Sequence, residues 1–239
     1  MEAGPKGMNR FYVVLGVLAV VLGFTVFYLL REGSGTAAAA AAGPPPTIVD
    51  DGFRGYTLGD SGALVEVTEY SDFECPYCAN FATIQMPTIR DQLISTGKVR
   101  WRYRDFPIPS HQFGRFSAHA AHCAGEQGKF WEMHDQLFYH HQWAQTGKDP
   151  SKLFRQFAKD AGVNQEQYDS CIQSGRYASR IEFSRQEGVN AGVEGTPTFY
   201  INGKKFTGPR ATSDAFKAIA DSVIARSPKP APRTSHTTH

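Results

Sequence analysis

A chain of 239 residues, 41% hydrophobic and 20% charged, is long enough to bury a core and form one sizeable globular domain. Its formal net charge of +2 points to no acidic partner. No basic block with interleaved aromatics marks a nucleic-acid surface, and Arg100, Arg102 and Arg104 alternate as the solvated face of one strand.

Residues 1–10 carry Lys6 and Arg10 and precede an uncharged run of 20 residues, Phe11 to Leu30. That is the length of apolar helix that spans a bilayer, so residues 11–30 are read as a transmembrane anchor. The positive-inside bias places residues 1–10 in the cytoplasm and everything after residue 31 outside. A cleaved signal peptide is the alternative: Ala37 to Ala42 offers A-x-A sites, but signal cores are usually shorter, about 7–15 residues. Either way the domain is exported to a compartment that tolerates disulfides. Residues 31–46 form an Ala/Pro linker, and residues 227–239 a polar, Pro-rich tail expected to be disordered.

The domain is expected over residues 47–226. Leu64 to Tyr70 alternates as a strand with Val65, Val67 and Glu69 on one face. Cys75-Pro76-Tyr77-Cys78 then opens a helix marked by Phe81, Ile84 and Leu93, which Pro87 should kink or interrupt and Gly97 should end. Val99, Trp101 and Tyr103 alternate as a second strand. Helical periodicity dominates about 108–190, with Asp149-Pro150 and Asn164 as helix starts. Pro197 to Ile201 is a strand, Asn202-Gly203 a hairpin turn, and Thr212 to Arg226 a closing helix. The order β, α, β, helical block, β, β, α is that of an α/β thioredoxin-like fold with an all-helical insertion.

Two cysteines two residues apart close a disulfide across the first turn of a helix. The first sulfur then meets unpaired N–H groups and the positive end of the helix dipole, which favour a thiolate. A stabilised thiolate is a good nucleophile near neutral pH and a good leaving group. Pro76 suits the first helical position, where a missing N–H is no loss. The competing reading, half a zinc site, lacks a second cysteine pair, since Cys123 and Cys171 stand alone.

Three segments together, Glu69 to Cys78 (EYSDFECPYC), Cys123 to Phe138 (CAGEQGKFWEMHDQLF) and Gly192 to Gly203 (GVEGTPTFYING), resemble the DsbA family of exported thiol–disulfide oxidoreductases. The likeness is to its membrane-anchored, BdbD-type branch and covers roughly residues 56 to 226. It implies that Cys75 attacks and Cys78 resolves. It makes Thr196-Pro197 the cis-proline loop, with the Thr196 backbone facing Cys75 and free to pair with an extended substrate. It places Glu69 as a buried acid that moves the Cys78 proton. Tyr77 stands where the best-known member has histidine; without that cation the expected oxidant is milder. CPYC also occurs in glutaredoxins, but length and export argue against that group.

Cys123 and Cys171 are either buried free thiols or a structural disulfide, and an oxidising compartment favours the bridge. His119 and His122 have chelating spacing on a helix, and His134 and His140-His141 follow, but isolated histidines among aromatics are usually core or surface residues, so no metal is expected. The expected activity is disulfide introduction into unfolded exported proteins with free cysteines, on the outer side of the cytoplasmic membrane. No cofactor is expected beyond the cysteine pair, and the resemblance implies a quinone-linked membrane reoxidant of the DsbB or VKOR type. The alternatives are a reductase or isomerase of the same fold, or a non-catalytic metallochaperone or thiol-binding module.

Overall fold

The computed structural model describes residues 12, 15–25, 47–207 and 210–227, in two compact units that divide after residue 46. In the first unit residues 15–25 are helical (α1). Among the described residues no helix is long and apolar enough to cross a membrane. At about 1.5 Å per residue, α1 reaches about half the thickness of a hydrocarbon core. The rest of the expected anchor (residues 11, 13, 14 and 26–30), the linker 31–46 and residues 228–239 of the tail lie outside the described residues.

The second unit is built on a five-stranded sheet, ordered β1-β3-β2-β4-β5. These are β1 (Tyr56–Leu58), β2 (Val65–Ser71), β3 (Val99–Asp105), β4 (Thr198–Ile201) and β5 (Lys204–Lys205). Of the four pairings in the sheet the β2–β3 one is parallel, which the helical crossover between these strands permits. In β2 the alternation VEVTEYS buries Val65, Val67, Glu69 and Ser71 on one face. Register sets Val67 against Trp101 and Glu69 against Tyr103. Asn202 (φ 47) and Gly203 (φ 77) make the left-handed two-residue turn between β4 and β5.

The crossover helix runs without a break through α2 (Pro76–Asn80), a π-helical turn (Phe81–Gln85), α3 (Met86–Ile89) and a second π-helical turn (Arg90–Ile94). Pro87 therefore does not interrupt it. The proline follows a widened turn in which the Met86 N–H bonds back to Phe81, and this change of hydrogen-bond register absorbs the missing N–H. Gly97 at φ 71 lets the chain leave: its N–H reaches the Ile94 carbonyl, and that of Lys98 the Leu93 carbonyl, both at 3.0 Å.

Between β3 and β4 lie α4 (Gly114–Gly125), α5 (Phe130–Tyr139), a 3-10 turn (His141–Gln145), α6 (Ser151–Asp160), α7 (Gln165–Ser174) and α8 (Ala178–Asn190). The Asp149 carboxylate accepts from Ser151 N–H at 2.9 Å, and Asn164 caps α7 through Gln167 N–H at 3.0 Å. Two apolar clusters result. Val65, Val67, Trp101 and Phe199 pack against Phe81, Ile89, Leu93 and, from α9 (Ser213–Arg226), Phe216. Phe73, Cys78 and Tyr103 pack against Phe130, Met133, Leu137 and Phe138.

The opposite sheet face is covered in part by α8. Gly188 permits this approach, because a Cβ there would lie 2.6 Å from the Phe106 ring. Arg104, expected on a solvated face with Arg100 and Arg102, is buried as a consequence. Its guanidinium donates to Ser184 Oγ at 3.1 Å and to the Phe53 carbonyl at 3.3 Å, and pairs with Glu187. A guanidinium so enclosed is tolerated because its donors are matched.

Cys123 of α4 and Cys171 of α7, 48 residues apart, form a disulfide. Both are fully buried within the apolar cluster of the helical block. Loop-closure entropy predicts that the Cys123→Ala/Cys171→Ala variant loses about 2–4 kcal/mol of unfolding free energy in urea titration. An unchanged midpoint and slope would show that the bridge adds nothing.

Candidate active site

Strand β2 ends at Ser71, and the loop that follows is held by its own side chains. The Asp72 carboxylate accepts from the N–H groups of Glu74 (2.9 Å) and Ile108 (2.8 Å) and contacts His111 Nδ1 at 2.6 Å. Glu74 accepts from Phe113 N–H at 2.5 Å. These bonds tie the loop to the segment leading into α4 and deliver Cys75 to the helix start. Cys75 is the N-cap of α2, with extended backbone (φ −76, ψ 122), and Pro76 occupies the first turn. Ala79 N–H bonds to the Cys75 carbonyl at 3.1 Å.

The two sulfurs sit in opposite environments. Cys75 Sγ lies 3.4 Å from the Thr196 carbonyl oxygen, which accepts from its thiol. The Cys78 thiol, the Thr196 side chain and the backbone N–H groups of Cys78 and Tyr77 favour the thiolate over the opposing effect of burial, holding the Cys75 pKa at about 6. Cys78 has no exposed surface; burial, and then the neighbouring Cys75, push its thiol well above the ordinary value. Cys75 is more covered than a helix-terminal position suggests, at 5% exposure, because the Thr196 loop lies against its sulfur. The exposed members of the motif are Pro76 and Tyr77, the latter at 75%. Both cysteines of the pair are thiols here, and the Thr196-Pro197 bond is cis.

Glu69 lies on the buried face of β2 at 1% exposure. Its Oε2 accepts from Trp101 Nε1–H at 2.9 Å, while Oε1 has no partner among the described residues. Burial outweighs these contacts and raises its pKa to about 7. The structure thus sets the Cys75–Cys78 turn against the Thr196-Pro197 loop, with Glu69 buried in the core. Two further residues escaped sequence reasoning. Trp101 read only as a strand aromatic; its indole N–H needs a buried acceptor, and Glu69 is the one in reach. Ser71 was signalled only by its place two residues beyond Glu69 on the same strand face.

Among the described residues, His119 and His122 do not act as a chelating pair. His122 spends both ring nitrogens, on Asp105 (2.7 Å) and the Tyr56 hydroxyl (3.2 Å), so it does not chelate with His119. His134 pairs with Asp135 at 2.8 Å. His119 lies beside Cys123 and Cys171 within 4.8 Å, but the disulfide ties up both sulfurs as non-thiolates.

The thioredoxin family, in the group described as "Thioredoxin", matches residues 54–221. BdbD from Bacillus subtilis superposes with a TM-score of 0.60 at 24% identity, over 71% of this chain and 92% of that one, a likeness of fold. DsbA from Mycobacterium tuberculosis superposes with a TM-score of 0.58 at 28% identity, over 70% and 91%. Among curated proteins, the Na(+)/H(+) antiporter NhaA 3 of Salinispora tropica is 36% identical over 157 residues, 65% of this chain and 23% of the antiporter. The chain spans under a quarter of the length of the first such relatives. The cysteine pair at the start of a helix crossing between parallel strands, the matched residues 54–221 and the superposed neighbours converge: the chain belongs to the thioredoxin family and is DsbA-like within it.

Proposed function

We propose that the chain is an exported thiol–disulfide oxidoreductase that introduces disulfide bonds into secreted or envelope proteins through Cys75 and Cys78. The observation that carries this reading is the contrast between the two sulfurs: one favoured as an anion at a helix start, one enclosed and held as a thiol. Stabilising the reduced pair's thiolate makes the oxidised pair the stronger oxidant, which supports the oxidase direction.

In the oxidised enzyme a substrate thiolate attacks Cys75 Sγ, and the Cys75–Cys78 bond breaks with the electron pair going to Cys78. The new thiolate takes a proton. A second substrate thiolate then attacks the substrate sulfur of the mixed disulfide, Cys75 leaves as a thiolate, and the substrate departs oxidised. Two electrons stay on the cysteine pair, so no soluble cofactor is required. Near neutral pH Glu69 is poised to give or take the Cys78 proton, because its pKa lies at about 7. The Thr196 backbone, beside Cys75, suits pairing with an extended substrate segment. Tyr77 adds no cation, which makes the pair milder than one with histidine there. Reoxidation falls to a quinone-linked membrane partner of the DsbB or VKOR type. The uncharged run over residues 11–30 tethers the domain outside the cytoplasmic membrane, and a relative named as an antiporter accords with a membrane setting.

Three measurements test this reading. Oxidative refolding of a reduced model protein should be accelerated by the oxidised chain and not by Cys75→Ser; equal rates would overturn the assignment. Thiolate absorbance of the reduced chain should titrate with a midpoint near 6. A midpoint at or above about 8.5, that of a free thiol, would remove the activation. Glu69 is ionised in the unfolded chain above about 4.5 but stays protonated in the fold up to about 7. Between these values the native state binds more protons than the unfolded one, so this group's stabilisation is full below the window and declines through it as pH rises, levelling off above. Glu69→Gln should therefore flatten the decline, by about 1.4 kcal/mol per pH unit. It should also slow exchange about a hundred-fold. Parallel pH–stability curves for the two proteins would refute a raised Glu69.

A further inference from the structure

Glu69 and Ser71 stand two residues apart on one buried face of β2, each 1% exposed. Three polar atoms in this region have no hydrogen-bond partner among the described residues: Glu69 Oε1, Ser71 Oγ and the Tyr103 hydroxyl. Native cores rarely leave buried polar atoms unmatched, and here Glu69 and Ser71 share one strand face while Tyr103 is the register partner of Glu69. Cys78, with no exposed surface, packs in the same cluster as Tyr103. The Ser71 hydroxyl adjoins both ionisable groups, favouring the charged form of the Glu69 carboxyl and of the Cys78 sulfur. It completes a well-formed hydrogen bond with neither. Tyr103 stands opposite Glu69 in the β3 register and influences Cys78 through space alone.

We propose that the Ser71 hydroxyl is the relay that carries a proton between Cys78 and Glu69. A hydroxyl donates and accepts at the same atom, so it passes a proton without itself becoming charged. When Cys78 leaves as a thiolate, Ser71 gives its hydroxyl proton to the sulfur and takes one from the Glu69 carboxyl, which ends as a carboxylate. When Cys78 is to attack, the same protons move in reverse. No electrons are transferred in either direction.

This inference rests on the proposed exchange activity, and the experiment separates the two. Single-turnover oxidation of a dithiol peptide by the full chain is followed across the Glu69 transition near 7, in H2O and D2O, for wild type, Ser71→Ala, Ser71→Thr and Tyr103→Phe. Alkylation of the reduced proteins with iodoacetamide reports whether fold and Cys75 thiolate are intact. Ser71→Ala should alkylate like wild type, yet react about ten-fold more slowly, with a flattened pH profile and a reduced solvent isotope effect. Ser71→Thr, which keeps the hydroxyl, should restore all three, and Tyr103→Phe should retain them. A wild-type rate and profile in Ser71→Ala overturns the relay and leaves the exchange activity standing. Ser71→Thr no better than Ser71→Ala assigns the effect to packing and overturns it too, as does a loss confined to Tyr103→Phe. A wild type inert towards dithiols removes the proposed function, and the relay with it.

Discussion

A helix that begins on a cysteine forces two identical side chains into unlike surroundings. Cys75, at the N-cap of α2, is met by backbone N–H groups with no intrahelical partner, whereas Cys78, one turn on, faces the core. The remaining architecture serves this division. The Asp72 carboxylate fixes the loop that delivers Cys75, the Thr196 backbone closes over the sulfur, and α5 supplies Phe130, Met133 and Phe138 to the cluster that encloses Cys78. Burial disfavours a charge on one sulfur, and the helix start favours it on the other.

Burial of Glu69 follows from the same packing. Parallel pairing of β2 with β3 sets Trp101 and Tyr103 beside it, and the Trp101 indole donates a single hydrogen bond that leaves the other carboxyl oxygen unmatched. A carboxyl so placed opposes folding once ionised. The helical block shares an apolar cluster with Cys78 and has ties of its own. These are its disulfide, the Asn164 cap on α7 and His122 between Asp105 and Tyr56.

Apart from β1 (Tyr56–Leu58), a three-residue edge strand with no alternation long enough to mark it, the order of strands and helices was legible in the sequence, as were the cysteine pair at a helix start and the Asn202-Gly203 turn. Each rests on local periodicity or on one residue type's conformational preference, and both act over a few positions. Where reading fell short, packing or a local change of register had intervened. Arg104 looked like a surface charge until α8 covered it through Gly188, and Pro87, expected to kink or interrupt its helix, leaves it unbroken because the π turn just ahead takes up the change of register.

The chain order therefore determined which residues can exchange a disulfide, since spacing alone puts Cys75 and Cys78 on consecutive turns. Only the tertiary structure decided how those groups are poised. The pKa of a sulfur or a carboxyl is set by which atoms lie within a few ångströms and how much water is left, and the neighbours concerned, Thr196, Trp101 and Tyr103, come from far along the chain.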